Sequence, residues 1–148
     1  MLALKTILYA TDFSESSGPA ADYAFYLARL TGARLHVLHV VGELADHRKN
    51  QVQPEAFNLL EREVETQAVK EIETFCQRKF NSDISYTTEV VIGRPFDQIL
   101  RKSRQLPADM IVLGTHGRTG IEHVLVGSTA ERVVRRATVP VLTVRSSV

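Results

Sequence analysis

Gly114, Gly117 and Gly127, the last followed by Ser128 and Thr129, lie at a spacing of Gly-x2-Gly-x9-Gly-Ser. Glycines at 114 and 117 let a backbone come close to a ligand with no side chain in the way. Gly127-Ser128 stands at the head of a helical pattern, and the first amides of a helix have no intrahelical partner. Such an end attracts anions through those free N–H groups and the positive pole of the macrodipole. A second candidate is Thr11-Asp12-Phe13-Ser14, a carboxylate among hydroxyls directly after an apolar run. Each residue also has a purely architectural explanation. Ser128 with Glu131 is a capping box, Gly114 can end a strand, and Gly120 can make a turn. The joint spacing points to a ligand; no single glycine does.

Other chemistry is weaker. His36 and His39 are three apart on a strand pattern, which places them on opposite faces, so they do not chelate one ion together. His116 and His123 share a loop without a thiol or carboxylate pair to complete a tetrahedral set, and no metal site is expected. Cys76 sits beside Phe75 with no basic neighbour to activate it and reads as a packed core residue. A Walker loop and the Gly-x-Gly-x-x-Gly dinucleotide fingerprint are both missing. Asp12 after a first strand suggests a phospho-accepting receiver, but the early acidic pair and late lysine of such domains are missing too; Arg145 stands after the last strand.

These residues need elements to hold them. Lys5 to Ala10 is a short β-branched run that predicts a strand buried on both faces. Ser14 to Ser17 offer N-caps, Pro19 fits a first turn, and Ala20, Ala24, Leu27 and Ala28 follow at helical spacing up to Gly32. Arg34 to Val41 predicts a second strand, and residues 43–53 a polar loop. From Pro54 to about Phe80 runs a long helical pattern with Phe57, Leu60, Val64, Ala68, Ile72 and Phe75 on one stripe and a glutamate-rich solvated face. Ser85 to Ile92 predicts a third strand. A short helix carrying Phe96, Ile99 and Leu100 follows, then Met110 to Leu113 as a fourth strand. After the glycine-rich stretch comes a helix with Ala130, Val133, Val134 and Ala137, and Pro140 to Arg145 makes a fifth strand. Unbroken alternation predicts an α/β fold, one domain over residues 1–148, with a parallel sheet covered on both faces by right-handed crossovers. In such sheets ligands bind beyond the carboxyl ends of the strands, where both candidate loops fall.

Composition agrees with one folded domain: 44% hydrophobic and 24% charged residues exclude collagen-like and low-complexity chains. The 18 basic and 17 acidic side chains nearly cancel, which argues against a nucleic-acid partner. Residues 101–148 nevertheless carry 8 basic against 3 acidic groups, a local excess suited to a small anion. One cysteine forms no internal disulfide, no apolar run approaches the ~20 residues of a membrane span, and the N-terminus lacks a leader pattern. A cytoplasmic location is expected.

The glycine spacing, together with Lys5-Thr-Ile-Leu-Tyr-Ala-Thr-Asp12-Phe-Ser, Ala108-Asp-Met-Ile-Val-Leu-Gly-Thr-His-Gly117 and the run from Gly127 to Arg145, resembles the ATP-binding branch of the universal stress protein (UspA-like) family. The resemblance covers essentially the whole chain and is weakest over residues 43–80. It implies a Rossmann-like, adenine nucleotide alpha hydrolase-like fold with strand order 3-2-1-4-5. It also implies ATP as ligand, with Mg²⁺ or Mn²⁺ to neutralise crowded phosphate oxygens. By the same resemblance Asp12, with the backbone of Ala10 and Thr11, lines the adenine and ribose side. Val40 or Val41 meets the adenine edge through the main chain. Leu113, Gly114 and Gly117 face the ribose and α-phosphate, and Gly127, Ser128 and Thr129 hold the phosphates; His116 and Arg118 lie within reach of phosphate or are simply solvated. A homodimer through the last strand, Val139 to Val144, is implied as well. That apolar edge must be covered or paired, and a two-fold dimer pairs it with itself. Two functions share the cleft, a nucleotide-responsive regulatory protein with no catalytic residue and a slow ATP hydrolase or nucleotidyl transferase. Catalysis needs a base near the γ-phosphate, whereas Asp12 belongs to the adenosine end, so binding is the expected function.

Overall fold

The computed structural model describes residues 2–13, 17–42, 53–80, 83–115 and 126–146. In chain order the elements are β1 (Thr6–Ala10), α1 (Gly18–Thr31), β2 (Arg34–Val41), α2 (Pro54–Lys79), β3 (Tyr86–Ile92), α3 (Pro95–Gln105), β4 (Met110–Gly114), α4 (Ser128–Arg136) and β5 (Val141–Val144). The strands form one sheet in the order β3-β2-β1-β4-β5, every neighbouring pair parallel. This is the α/β fold and strand order expected. The predicted loop, except Gln53, lies outside the described residues, as do Ser14, His116, Gly117, Arg118, Gly120 and His123.

Alternation along each strand divides the core in two. Ile7, Tyr9, Leu35, Val37 and Val112 face one side, where they meet the alanines of α1 and Ile72, Phe75 and Cys76 of α2. Leu8, Ala10, Leu38, Ile111 and Leu113 face the other, against Phe96, Ile99 and Leu100 of α3 and Ala130 and Val133 of α4. The first side is rich in rings: Tyr9 lies 6.4 Å from Phe75 and 6.5 Å from Phe80, centroid to centroid. Alanines at 20, 21, 24 and 28 let α1 lie close on the sheet. Because β1, β2 and β4 are buried on both faces, their sequences read as continuous apolar runs rather than alternating ones.

Three expectations need correction. On α2, Ala68, Ile72 and Phe75 are buried with Cys76, but Phe57 is half-buried and Leu60 and Val64 are 40% and 36% exposed. Twenty-six helical residues span ~39 Å and the eight of β2 only ~26 Å, so the first half of α2 runs beyond the sheet it covers. On α4, Val134 is 52% exposed; this short helix packs on α3 and on the edge strand β5 and buries Ala130 and Val133. Ser17 does occupy the N-cap of α1, but its side chain makes no cap bond. It is buried, and its hydroxyl lies 3.3 Å from that of Thr11.

Candidate functional site

The sheet order runs outward in both directions from β1 and β4, so crossovers leave a crevice where those two strands end. A cavity of about 200 Å³ occupies it. Ala10, Thr11 and Asp12 enter from the end of β1, Val40 from β2, Leu113 and Gly114 from β4, and Gly127, Ser128 and Thr129 from the start of α4. Nine of the eleven residues singled out from sequence therefore meet in one place. Val41 does not line this cavity; it lines a neighbouring one of about 350 Å³, between β2 and α2, together with His39, Gln67 and Glu71. The one-residue alternation of β2 turns Val41 away from Val40. Asp12 and Val40 line both cavities. Gly117 falls outside the described residues.

Sequence reasoning missed Ser17, Leu38, Pro95, Ile99, Thr115 and Ala130, which complete the lining. A topological signal for Pro95 and Ile99 was available. In a parallel sheet each helix that follows a strand starts at the strands' carboxyl end, so α3 opens toward the same crevice as α4.

The start of α4 departs from a capping box. Gly127 takes the N-cap position at φ −67° and ψ 161°, and having no side chain it makes no side-chain cap bond. Ser128 is the first helical residue, and Glu131 pairs with Arg135 one turn on rather than reaching back. A φ of −67° suits any residue, so position 127 gains nothing in backbone freedom from being glycine. What glycine leaves there is space on the cavity wall. The Gly127 amide donates to the Thr115 carbonyl at 2.5 Å, which ties the head of α4 to the end of β4.

The β1–α1 turn is clamped from several directions. The Thr11 amide donates to the Leu38 carbonyl at 3.0 Å, and the Phe13 amide donates to the Thr11 hydroxyl at 3.1 Å. His39 Nδ1 lies 2.8 Å from the Thr11 carbonyl; a carbonyl only accepts, so Nδ1 carries the proton. Phe13 holds φ at 64°, the left-handed region, at a cost of roughly 1–2 kcal/mol for a non-glycine residue. Its ring is held 4.3 Å from that of His39 and 5.8 Å from Phe75.

His36 faces the opposite side of β2. Its Nδ1 lies 2.6 Å from the Thr87 hydroxyl and its Nε2 2.8 Å from Glu89, which also takes Lys102 Nζ at 2.8 Å. Burial works against the charged Glu89, but the hydrogen bonds from Lys102 and His36 prevail and hold its carboxyl below the ordinary value. Burial pushes the Cys76 thiol up to about 12 and the Tyr9 phenol far above its usual range. Among the described residues no three His, Cys, Asp or Glu side chains gather to hold a metal ion. For a divalent ion carried in on phosphate, the described lining residues offer oxygen donors, the Asp12 carboxylate and the hydroxyls of Thr11, Ser17, Thr115, Ser128 and Thr129. That donor set fits a hard cation that keeps water and phosphate as its other ligands.

The model of the Universal stress protein family matches residues 3–145. A universal stress protein of Thermus aquaticus is 34% identical over 142 residues, covering 95% of this chain and 98% of its own. UspA from Lactobacillus plantarum superposes with a TM-score of 0.82 at 28% identity, covering 98% of this chain and all of its own. A universal stress protein solved in complex with cAMP superposes with a TM-score of 0.67 at 25% identity, covering 99% of this chain and 100% of its own.

Proposed function

The chain belongs to the universal stress protein family, and from that premise we propose that it is an ATP-binding regulatory protein that works in the cytoplasm as a homodimer. The observation that carries the nucleotide reading is the head of α4. A helix without a side-chain cap, begun at a glycine, opens into the cavity at the carboxyl ends of β1 and β4. The relative that is solved with cAMP supports an adenine nucleotide there. In this reading the amides of Ser128 and Thr129 take the phosphates and Gly114 admits the ribose. Asp12, with the backbone of Ala10, Thr11 and Val40 or Val41, takes the nucleoside end. When bound, Mg²⁺ or Mn²⁺ would neutralise phosphate charge, held on the protein side by the Ser128 or Thr129 hydroxyl.

Asp12 is the sole carboxylate among the described residues lining the cavity, and it already has a place beside the nucleoside. Regulation by occupancy therefore fits better than turnover, and no catalytic residue is assigned. The dimer would form through Val139 to Val144, where β5 is the edge of the sheet and only half-buried in most of its length. Light scattering at micromolar concentration tests it, and a monomeric mass refutes it.

The deciding experiment is titration calorimetry with ATP, ADP and AMP, with and without Mg²⁺, on wild type and Gly127→Arg. Saturable ATP binding abolished by the substitution supports the proposal. No binding by folded wild type would make the glycine-rich stretch architectural.

A further inference from the structure

We infer that His39 is the positioning residue of this cleft, gripping the residues on both sides of Asp12 and so fixing the carboxylate for the ligand; the inference rests on the nucleotide reading above. His39 does not line the first cavity itself. It reaches Thr11, on one side of Asp12, through a 2.8 Å hydrogen bond to the main-chain carbonyl. It reaches Phe13, on the other side, through rings 4.3 Å apart.

A side chain's direction follows from the backbone at its own position, and that backbone is set by the two peptide units flanking it. Thr11 has further restraints, from the Leu38 carbonyl and the Ser17 hydroxyl. Phe13 is held besides by its amide bond to the Thr11 hydroxyl and by the Phe75 ring, and it sits in a left-handed conformation that persists only when its surroundings impose it. Of the two rings against Phe13, His39 is the closer, and it is the one that also bonds to Thr11. A histidine kept merely to fill the core would have no use for a donor; an apolar ring of the same size would fill that space. Here the donor is committed to a turn carbonyl, two residues before the point where β2 ends.

The test is a double-mutant cycle on the full chain, read by calorimetry with ATP and with AMP. His39→Phe keeps a ring against Phe13 and removes the donor. It is expected to weaken ATP and AMP by the same factor, about tenfold, the scale of one lost hydrogen bond with its acceptor left buried. The factors should match because the phosphates are held at α4, away from the turn. His39→Asn, whose amide Nδ2 hangs from Cγ as the histidine Nδ1 does, restores an N–H donor toward Thr11 and should recover most of the affinity. Adding His39→Phe to Asp12→Ala should weaken binding no further than Asp12→Ala alone, because a residue acting through Asp12 has nothing left to position. If circular dichroism shows His39→Phe unfolded, His39→Leu, apolar and without a donor, takes its place in the cycle.

Additive losses, a loss confined to ATP, full affinity in a folded donor-less variant, or an Asp12→Ala variant that binds normally would each overturn the role of His39. Wild-type protein that binds neither nucleotide would overturn the nucleotide reading, and this role with it. Binding by wild type with additive losses removes only the role of His39.

Discussion

The two ends of the sheet use backbone amides in opposite ways. At the end where the strands begin, Asp109 accepts from the Lys5 and Thr6 amides at 2.8 and 2.9 Å and donates its own amide to the Thr6 carbonyl. A carboxylate and a chain terminus of a strand satisfy each other there, and the result is a fastener. At the end where the strands finish, α4 begins without a side-chain cap, beside a cavity, with Ser128 as its first residue. In the proposed reading the amides of Ser128 and Thr129, at the cavity wall, serve a ligand rather than the fold. Backbone donors satisfied within the chain hold it together; donors facing a cavity are available to something else.

That contrast can be broken by substitution. Gly127→Arg, which fills the cavity wall from a backbone conformation arginine adopts freely, should lower ATP affinity at least a hundredfold, about 2.7 kcal/mol. Its thermal midpoint should stay within a few degrees of wild type, as read by circular dichroism. A parallel collapse in stability would mean that α4 is as much a fastener as Asp109.

Glu89→Gln tests a site between the ends. It replaces the carboxylate shared by Lys102 and His36 with a neutral amide that keeps one acceptor oxygen, and should cost about 1–2 kcal/mol in urea unfolding at pH 7. Its folded pKa is depressed, so the stabilisation is complete above the unfolded carboxylate pKa of ~4.3 and is lost as pH falls through the lower folded value. Wild type and variant should therefore converge in acid; a constant gap would show that packing, not charge, is at stake.

Asp109→Ala should cost about 1 kcal/mol, the bonds being partly discounted because the carboxylate is largely solvated, and leave ATP affinity untouched. Hydrogen bonds from Thr6 and Lys5 hold its pKa down, so this contribution too is present above ~3.9 and disappears on acidification. A change in ATP affinity would erase the distinction between the ends. Arg135→Ala, which frees Glu131 on the exposed side of α4, should cost no more than about 0.5 kcal/mol and weaken ATP less than twofold. A larger effect on binding would mean that α4 charge, rather than its uncapped start, draws the ligand.

Much of this was legible in the residues. β2 runs from Arg34 to Val41 as its pattern predicts, because a strand buried on both faces writes its whole length in apolar and β-branched residues. The end of the sheet that holds the cavity was legible for a different reason: topology places every strand-to-helix loop there. What failed were inferences that need a partner's dimensions. The α2 stripe marks a face but not the length of sheet available to cover it, and Leu60 and Val64 run past that length. Ser128 and Glu131 match a capping box in spacing, yet Gly127 takes the cap and Glu131 turns to Arg135. His39 was weighed only as a metal ligand, since its hydrogen bond to Thr11 exists only once β1 and β2 pair, 28 residues apart in the chain.

The burial of Cys76 bears on how such questions can be approached. Burial pushes the thiol up to about 12 and leaves it no solvent-exposed surface, and alkylating reagents act on the thiolate. The native thiol should therefore react slowly with maleimides, and one cysteine introduced at Val126, beside the head of α4, would carry a fluorophore at a single defined position without first removing the native residue.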